Sequence, residues 1–264
     1  MDEEEVSPDH PRATSLRIRA KLTHGFKIGI TSAFGLFAHG RGEAFDYLIG
    51  EETTENATRA IRAAAASFLL ARHSVLSVNG NVAALVPQEL VELSTITASK
   101  LEVNLYHRGG AREEAIADVL RKAGAKEILG IGKAASATIP EICSDRRRVD
   151  PKGILIADTV FVPLEDGDRT EALVKLGKTV ITVDLNPLSR TAQMSTITIV
   201  DNVVRAMPLL VKAVKLLENE PEQTLQKIVR TFNNRQNLRE AIELINTRLI
   251  RLAEQQSDTD EGGD

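Results

Sequence analysis

Four short segments of this chain combine charged side chains with residues that favour turns. They are HGRGE at 39–43, NGN at 79–81, EDGDRTE at 165–171 and DLNPLSRT at 184–191. Arginine guanidinium groups can clamp phosphate oxygens, and clustered carboxylates can hold Mg²⁺ or a substrate ammonium group. The four segments are therefore candidates for binding an anionic small molecule and the groups that react with it.

The first segment places Arg41 between two glycines, close to His39. The glycines would let both the backbone and the guanidinium approach a ligand. The alternative is a plain connection between two helices, in which Gly40 and Gly42 serve only the turn. We predict that Arg41 clamps phosphate and that His39 contributes to substrate binding.

The second segment consists of Asn79, Gly80 and Asn81, between a predicted strand and a predicted helix. Free N–H groups at the start of a helix attract anions. Because Asn-Gly is also a common turn pair, a purely structural role is the alternative. The position at the carboxyl end of a strand favours a ligand, and we predict that these residues bind substrate.

The third segment also follows a predicted strand. Asp168 and Glu171 have the spacing of a helix cap, with Asp168 as the capping residue. That structural role leaves Glu165, Asp166 and Arg169 unexplained. We predict that the carboxylates of this segment, Asp168 among them, hold an ammonium group, and that Arg169 contributes to substrate binding.

The fourth segment and the end of the next predicted strand place polar residues at two successive strand ends. Asp184 and Asn186 can bind ribose hydroxyls or a base edge, and Arg190 can bind phosphate. Asp201 ends the next predicted strand, and Asn202 follows it. Ligands of open α/β sheets bind outside the carboxyl ends of the strands, although Asn-Pro is also an ordinary turn.

The elements that must position these segments follow from apolar periodicity. Helical patterns cover about 10–30, 53–72, 82–93, 112–123 and 170–176, and 208–253 with a break near Asn233–Asn234. Strand patterns cover 75–78, 101–106, 127–131, 159–162, 179–184 and 197–201. This alternation predicts an α/β fold with a Rossmann-like, mostly parallel sheet, an N-terminal helical segment and a C-terminal helical tail.

We predict a single α/β domain over residues 1–264. Within it, a helical segment at 10–72 packs on a sheet region at 73–207, and a helical tail follows at 208–255. Residues 1–9 and 256–264 are predicted to be solvated tails, because eight carboxylates lie at their outer ends, within 1–5 and 258–264.

Several familiar motifs are excluded. The stretch 130–135 (GIGKAA) resembles a dinucleotide loop, but Pro140 interrupts any following helix and no acidic strand end follows. It also fails as a P-loop, because Glu127 replaces the first glycine and Ala134 follows the lysine. Cys143 has no nearby histidine and is predicted to be a small core or loop residue.

Composition limits the class of protein. One cysteine, no apolar run near the ~20 residues of a membrane span and an acidic amino terminus predict a cytoplasmic protein that does not enter membranes. Without the eight terminal carboxylates the chain is mildly basic, which suits small anions. Aromatic residues make up only 3% of the chain, and no concentrated basic face is evident, so we expect no nucleic-acid partner.

Five phrases of the chain resemble those of the archaeal 4-phosphopantoate–β-alanine ligase family, the phosphopantothenate synthetases. They are HPR at 10–12, AHGRGEAFDYLIG at 38–50, SVNGNVAALVP at 77–87, VPLEDGDRTEAL at 162–173 and TVDLNPLSR at 182–190. The resemblance extends from about His10 to Pro208, and long phrases in a constant order are far more specific than one short motif.

The resemblance implies that ATP, 4-phosphopantoate and β-alanine give 4-phosphopantothenate, AMP and pyrophosphate in coenzyme A biosynthesis. It also implies a homodimer, and Mg²⁺ is expected with ATP. The implied ATP contacts are Arg19, Arg41, Asp184, Leu185, Asn186, Arg190, Thr191, Asn202 and Val203. We predict that the three arginines of this set, Arg19, Arg41 and Arg190, carry the catalytic charge stabilisation.

Two alternatives remain open from the sequence. One is an ATP-dependent ligase of the same build that acts on another phosphorylated acid. The other is a non-catalytic nucleotide or phosphate sensor, which would bind ATP without releasing pyrophosphate.

Overall fold

The computed structural model describes residues 6–7, 9–164 and 167–260, without the side chains of 256–260. Glu165 and Asp166, two of the predicted substrate ligands, lie outside the described residues, as does most of the predicted tail at 1–9.

A five-stranded parallel sheet forms the centre of the molecule, with the strand order β2-β1-β5-β6-β7. Its strands are β1 (Ser74–Val78), β2 (Lys100–Val103), β5 (Thr159–Phe161), β6 (Thr179–Val183) and β7 (Ile197–Ile199). A separate antiparallel pair is formed by β3 (Ala137–Thr138) and β4 (Arg148–Val149). The predicted α/β class with a mostly parallel sheet is confirmed.

Eleven helices are present in the described part of the chain. They are α1 (Ala13–Lys27), α2 (Ala33–Ile49), α3 (Glu55–Leu70), α4 (Gly80–Leu85), α5 (Pro87–Ile96), α6 (Gly110–Lys122), α7 (Gly167–Lys175), α8 (Arg190–Met194), α9 (Val203–Leu217), α10 (Glu222–Thr231) and α11 (Asn234–Asp260). None of these helices is long and apolar enough to cross a membrane.

The core lies between the sheet and the helices that cover its faces. Strands β1 and β7 are buried along their whole length, because both faces of a parallel sheet are covered by its crossover helices. On one face, α3 packs closely against α9 and α10. Ala60 and Ala64 are fully buried there, and their small side chains let the helices approach.

The predicted strand at 127–131 is wrong. Only one bridge forms there, between Leu129 and Glu102. Gly130 has a φ of +79°, and a Cβ at this residue would lie 2.5 Å from the carbonyl oxygen of Val103. The chain therefore turns away immediately after the bridge, in a conformation that favours glycine.

Two local predictions about segments of the site are also wrong. Residues 39–43 are not a loop, because they lie inside α2. This helix is capped by Ser32, whose side chain accepts from Gly35 N at 3.2 Å, and it ends at Gly50 with a φ of +95°. Asp168 is not a cap, because α7 already begins at Gly167.

The C-terminal region is helical, with more interruptions than predicted. α9 begins at Val203 and spans the predicted boundary at 207, and a break at 218–221 separates it from α10. The predicted break near Asn233 is present between α10 and α11. The last helix extends to Asp260, into the segment predicted as a tail.

Candidate functional site

A cavity of about 850 Å³ opens at the carboxyl end of the sheet. It brings together twelve of the predicted site residues: His39, Arg41, Asn79, Gly80, Asn81, Asp184, Leu185, Asn186, Arg190, Thr191, Asn202 and Val203. The residues come from α2, from the end of β1 and from the ends of β6 and β7. A site assembled from such distant segments requires the parallel sheet, which places its strand ends at one edge.

The turn after β6 is organised around Asp184. One oxygen of its carboxylate accepts from Asn186 N at 2.9 Å, and the other accepts from the hydroxyl of Ser189 at 2.5 Å. Burial raises the pKa of Asp184, against the opposing effects of these hydrogen bonds and of the positive charge of Arg41. The turn is therefore preorganised where it lines the cavity.

Arg190 begins α8 at the end of this turn and is held by α7. Its Nε lies 3.1 Å from Asp168 Oδ1, and its Nη2 lies 2.5 Å from Glu171 Oε2. A Cβ on Gly167 would lie 2.4 Å from the Cβ of Arg190, so only glycine allows the two helices to come this close. The two carboxylates fix the guanidinium at the rim of the cavity.

A buried ion network ties α2 to the end of β7. Arg205 on α9 donates to both Asp46 and Asp201, with the shortest contact to each at 2.6 Å. Asn202 donates to Asp46 at 2.7 Å, and Thr53 donates to Asp201 at 2.6 Å. Burial raises the pKa of Asp201, although Thr53 and Arg205 oppose the shift. This network sets the position of α2 against the carboxyl end of β7.

Helix α2 presents His39 and Arg41 to the cavity. The Nε2 atom of His39 is buried and has no hydrogen-bond partner among the described residues. Burial lowers the pKa of His39, with Glu43 opposing the shift and Arg19 adding to it. At neutral pH the imidazole is therefore neutral, and its free Nε2 can accept or donate one hydrogen bond.

Arg19 is the one implied ATP contact that does not line the cavity among the described residues. Its guanidinium forms a two-pronged pair with Glu43, with contacts of 2.9 and 3.0 Å, and Tyr47 donates to the same carboxylate at 2.8 Å. Burial raises the pKa of Glu43, but the hydrogen bonds from Arg19 and Tyr47 outweigh it and hold the pKa below its usual value.

The side chains of the second segment serve the structure. Asn79 caps α4 by accepting from Val82 N at 3.1 Å, and it donates to the carbonyl of Pro163. Asn81 donates to the carbonyl of Gly35 in α2 at 2.8 Å. A Cβ on Gly80 would lie 1.9 Å from the carbonyl oxygen of Ile30, so this position has no room for a side chain.

Two residues predicted to bind substrate in the third segment lie away from the cavity lining. Arg169 is buried at 1% exposure and donates to Ser77 Oγ at 3.0 Å. Asp168 is highly exposed and faces Arg190.

Sequence reasoning missed a group of cavity residues at the β2 edge of the sheet. They are Phe34, Tyr106, His107, Arg112 and Arg146. Tyr106 ends the strand predicted at 101–106 and His107 follows it, so the strand-end rule could have found them. Arg146 had no such signal, because it reaches the cavity from a short 3-10 helix (Asp145–Arg147) that follows no strand of the parallel sheet.

The described residues hold no group of three or more His, Cys, Asp or Glu side chains that could bind a metal ion. Mg²⁺ in phosphate-transferring sites is held mainly by substrate phosphates and one or two carboxylates. Asp184 is the carboxylate of the cavity lining, and both of its oxygens already accept hydrogen bonds. The donor set therefore fits a cation held mainly by the phosphates of a ligand better than one held by the protein alone.

Comparison with known proteins identifies the family. The profile of the family described as "Phosphopantothenate/pantothenate synthetase" matches residues 56–248, which include the sheet, the ends of β6 and β7 and most of α11.

Curated relatives are similar over nearly their whole length. A 4-phosphopantoate–β-alanine ligase from Thermococcus kodakarensis is 53% identical over 251 residues, which cover 95% of each chain. A protein of the same name from Methanosarcina mazei is 51% identical over 94% of this chain and 97% of its own. Another from Methanospirillum hungatei is 44% identical over 93% of this chain and 98% of its own.

Proposed function

We propose that this chain, which belongs to the phosphopantothenate/pantothenate synthetase family, is an ATP-dependent ligase that joins 4-phosphopantoate to β-alanine. The relatives that carry this name cover almost the whole chain. The observation that carries the proposal is the cavity, because it gathers every implied ATP contact except Arg19. The same proposal places the reaction in coenzyme A biosynthesis.

The chemistry needs no nucleophilic side chain. A carboxylate is a poor acylating agent because its leaving group is oxide. In the first step its oxygen attacks the α-phosphorus of ATP, pyrophosphate leaves and an acyl-adenylate forms. In the second step the uncharged amine of β-alanine attacks the carbonyl carbon, AMP leaves and the surplus proton passes to solvent. The protein must orient the reactants and stabilise developing negative charge.

The residues of the cavity suit these demands. In this proposal Arg41 and Arg190 neutralise the triphosphate and the departing pyrophosphate. Asp184, Asn186 and the peptide groups of the turn bind the nucleoside, near the start of α9 at Val203. Arg19 contacts ATP only when its pair with Glu43 opens. Mg²⁺, if it accompanies ATP, would supply further neutralisation of the phosphates.

The β-alanine ammonium group is proposed to lie at the carboxylates of 165–168. Within the described part of this segment, Asp168 is exposed and close to Arg190, at the rim of the cavity. Replacing Glu165, Asp166 and Asp168 one at a time should raise the KM for β-alanine in at least one variant. Three unchanged KM values would contradict this placement.

The deciding experiment measures AMP and pyrophosphate release by the purified chain. Release should require both 4-phosphopantoate and β-alanine, and ADP should not accumulate. Replacing 4-phosphopantoate by other phosphorylated acids tests whether this acid is the substrate. A chain that binds ATP but forms no pyrophosphate with any acid would instead be a nucleotide sensor.

A further inference from the structure

We propose that Arg112 and Arg146 bind the phosphate group of the phosphorylated acid, at the β2 edge of the cavity. The inference rests on the proposed function for the identity of the acid. It places the phosphate at two arginines that follow β2, whereas the sequence predicted that an anionic substrate is bound by the segment 79–81.

Arg112 is positioned by backbone groups alone among the described residues. Its Nε donates to the carbonyl of Ile30 at 3.0 Å, and its Nη1 lies 3.5 Å from the carbonyl of His107. A Cβ on Gly80 would lie 2.9 Å from its Nη2, so glycine at this position makes room for the guanidinium. Carbonyl groups orient a guanidinium without neutralising its charge.

The neighbouring Arg108, unlike Arg112, is paired with a carboxylate. Arg108 is buried in the same region, and its Nε lies 2.8 Å from Glu113 Oε1. Arg112 has no such carboxylate within the described part of the chain, although it is half-buried in the cavity wall. A buried cation is costly unless an anion pairs with it, so the geometry at Arg112 favours an anionic ligand.

Arg146 adds a second positive charge to the same wall. It is 5% exposed, lines the cavity, and donates from Nη1 to the carbonyl of Asn104 at 2.8 Å. Burial lowers the pKa of Arg112, and the like charge of Arg146 lowers it further. Arg112 also lies in the first turn of α6, where the helix dipole disfavours a cation. An anion between the two guanidinium groups would relieve each of these penalties.

A phosphate monoester matches this site. It carries a charge of about −1.5 to −2 at neutral pH and three acceptor oxygens, which suit two guanidinium groups. The strands β2 and β6 are three positions apart in the sheet, which corresponds to roughly 14 Å. The phosphate at β2 and the nucleotide turn after β6 therefore leave space between them for the carboxylate end of the acid. The two arginines would then distinguish a phosphorylated acid from its unphosphorylated form.

Calorimetric titration of the full chain with 4-phosphopantoate, pantoate and ATP tests the inference without requiring turnover. The variants are Arg112→Ala and Arg112→Lys, and the matched control is Arg121→Ala on the exposed end of the same helix. The unchanged chain should bind 4-phosphopantoate at least about tenfold more tightly than pantoate, the range of one charge-assisted contact. Arg112→Ala should remove most of that preference, Arg112→Lys should retain part of it, and Arg121→Ala should retain all of it.

The affinities for pantoate and ATP should stay the same in all three variants. Unchanged binding of 4-phosphopantoate by Arg112→Ala, in a variant that melts like the control, would overturn the inference. An equal loss of ATP affinity would also overturn it, because the arginines would then bind the triphosphate. A chain that shows the binding preference but releases no AMP would refute the proposed function and leave the phosphate site intact.

Discussion

Arg41 combines two properties that no other residue of α2 has in the described chain: it lines the cavity, and its charge acts on the carboxylate of Asp184. Helix α2 thereby projects a cation across the cavity toward the turn after β6. Because Arg41 is exposed, its positive charge is available to a ligand at little cost in desolvation.

We predict that Arg41→Ala lowers kcat by at least about 10²-fold, the effect of removing one donor that stabilises charge in the transition state. Steady-state release of AMP measures this. Arg239→Ala, which removes an exposed arginine from α11, should remain fully active. Near-normal turnover of Arg41→Ala would remove Arg41 from the catalytic residues.

Glu102 is a fully buried carboxylate at the end of β2 that the proposed reaction does not use. It accepts from Asp150 N at 3.0 Å and from Ile154 N at 2.7 Å. A Cβ on Gly153 would lie 2.0 Å from its Oε2, so the loop closes directly over the carboxylate. Burial raises the pKa of Glu102 to about 7, although the two N–H groups oppose the shift.

This pKa makes the stability of the protein depend on pH. The folded state binds the proton of Glu102 more tightly than the unfolded state, so the stabilisation is complete below about pH 4.5 and is lost as the pH rises through about 7. A shift of the pKa of Glu102 from 4.5 to about 7 corresponds to a change of about 3 kcal/mol in the free energy of unfolding.

In urea unfolding, the free energy of unfolding of the unchanged chain should fall between pH 4.5 and 8 relative to that of Glu102→Gln. The glutamine of this variant cannot titrate. Glu218→Gln, at an exposed glutamate, should follow the unchanged chain at every pH. A difference between the unchanged chain and Glu102→Gln that stays constant with pH would contradict the raised pKa.

At the scale of elements, residues 39–43 act as part of the helix α2 and not as a loop. Glycines lower helix propensity, and their presence at 40 and 42 favoured a loop. In the structure the helix continues through both, because its ends are capped and Glu43 and Asp46 anchor it to neighbouring elements. Arg41 is therefore carried by a rigid element.

Gly40→Ala tests this helix directly. Nothing lies within 4 Å of a Cβ at Gly40, so alanine should raise the free energy of unfolding by about 0.5–1 kcal/mol, as expected inside a helix. Gly35→Ala in the same helix should destabilise, because its Cβ would lie 2.3 Å from Asn81 Oδ1. Chemical denaturation measures both, and a destabilised Gly40→Ala would indicate that this part of α2 is not helical.

At the scale of the whole molecule, an apolar surface lies beside the cavity. Phe34 and Phe37, one turn apart on α2, are 71% and 77% exposed. Large exposed aromatic side chains are often covered by a partner. We propose that this surface forms the interface of the homodimer that the family resemblance implies, close to the cavity.

We predict that the chain has the mass of two subunits in light scattering and that Phe37→Glu reduces it to one. Leu216→Glu, at a residue of α9 that is 70% exposed, should remain dimeric. A monomeric unchanged chain would contradict the dimer, and a dimeric Phe37→Glu would move the interface elsewhere.

The sequence by itself determined the fold class and one half of the site. Strand and helix periodicity reports burial on each element, and a parallel sheet brings polar strand ends such as Asp184 and Asn202 to one edge. The long phrases resembling a known family indicated the ligase, because extended matches in a constant order are rarely accidental.

Only the tertiary structure decided the other half. Arg112 and Arg146 join the cavity because α6 and the short 3-10 helix at Asp145–Arg147 lie at the β2 edge, and no local pattern encodes that contact. The hydrogen bond from Asn81 to the carbonyl of Gly35 could not be predicted for the same reason, since the two residues are remote in the chain. Periodicity reports which face of an element is buried, but the partner of a buried or charged side chain is set by packing between elements.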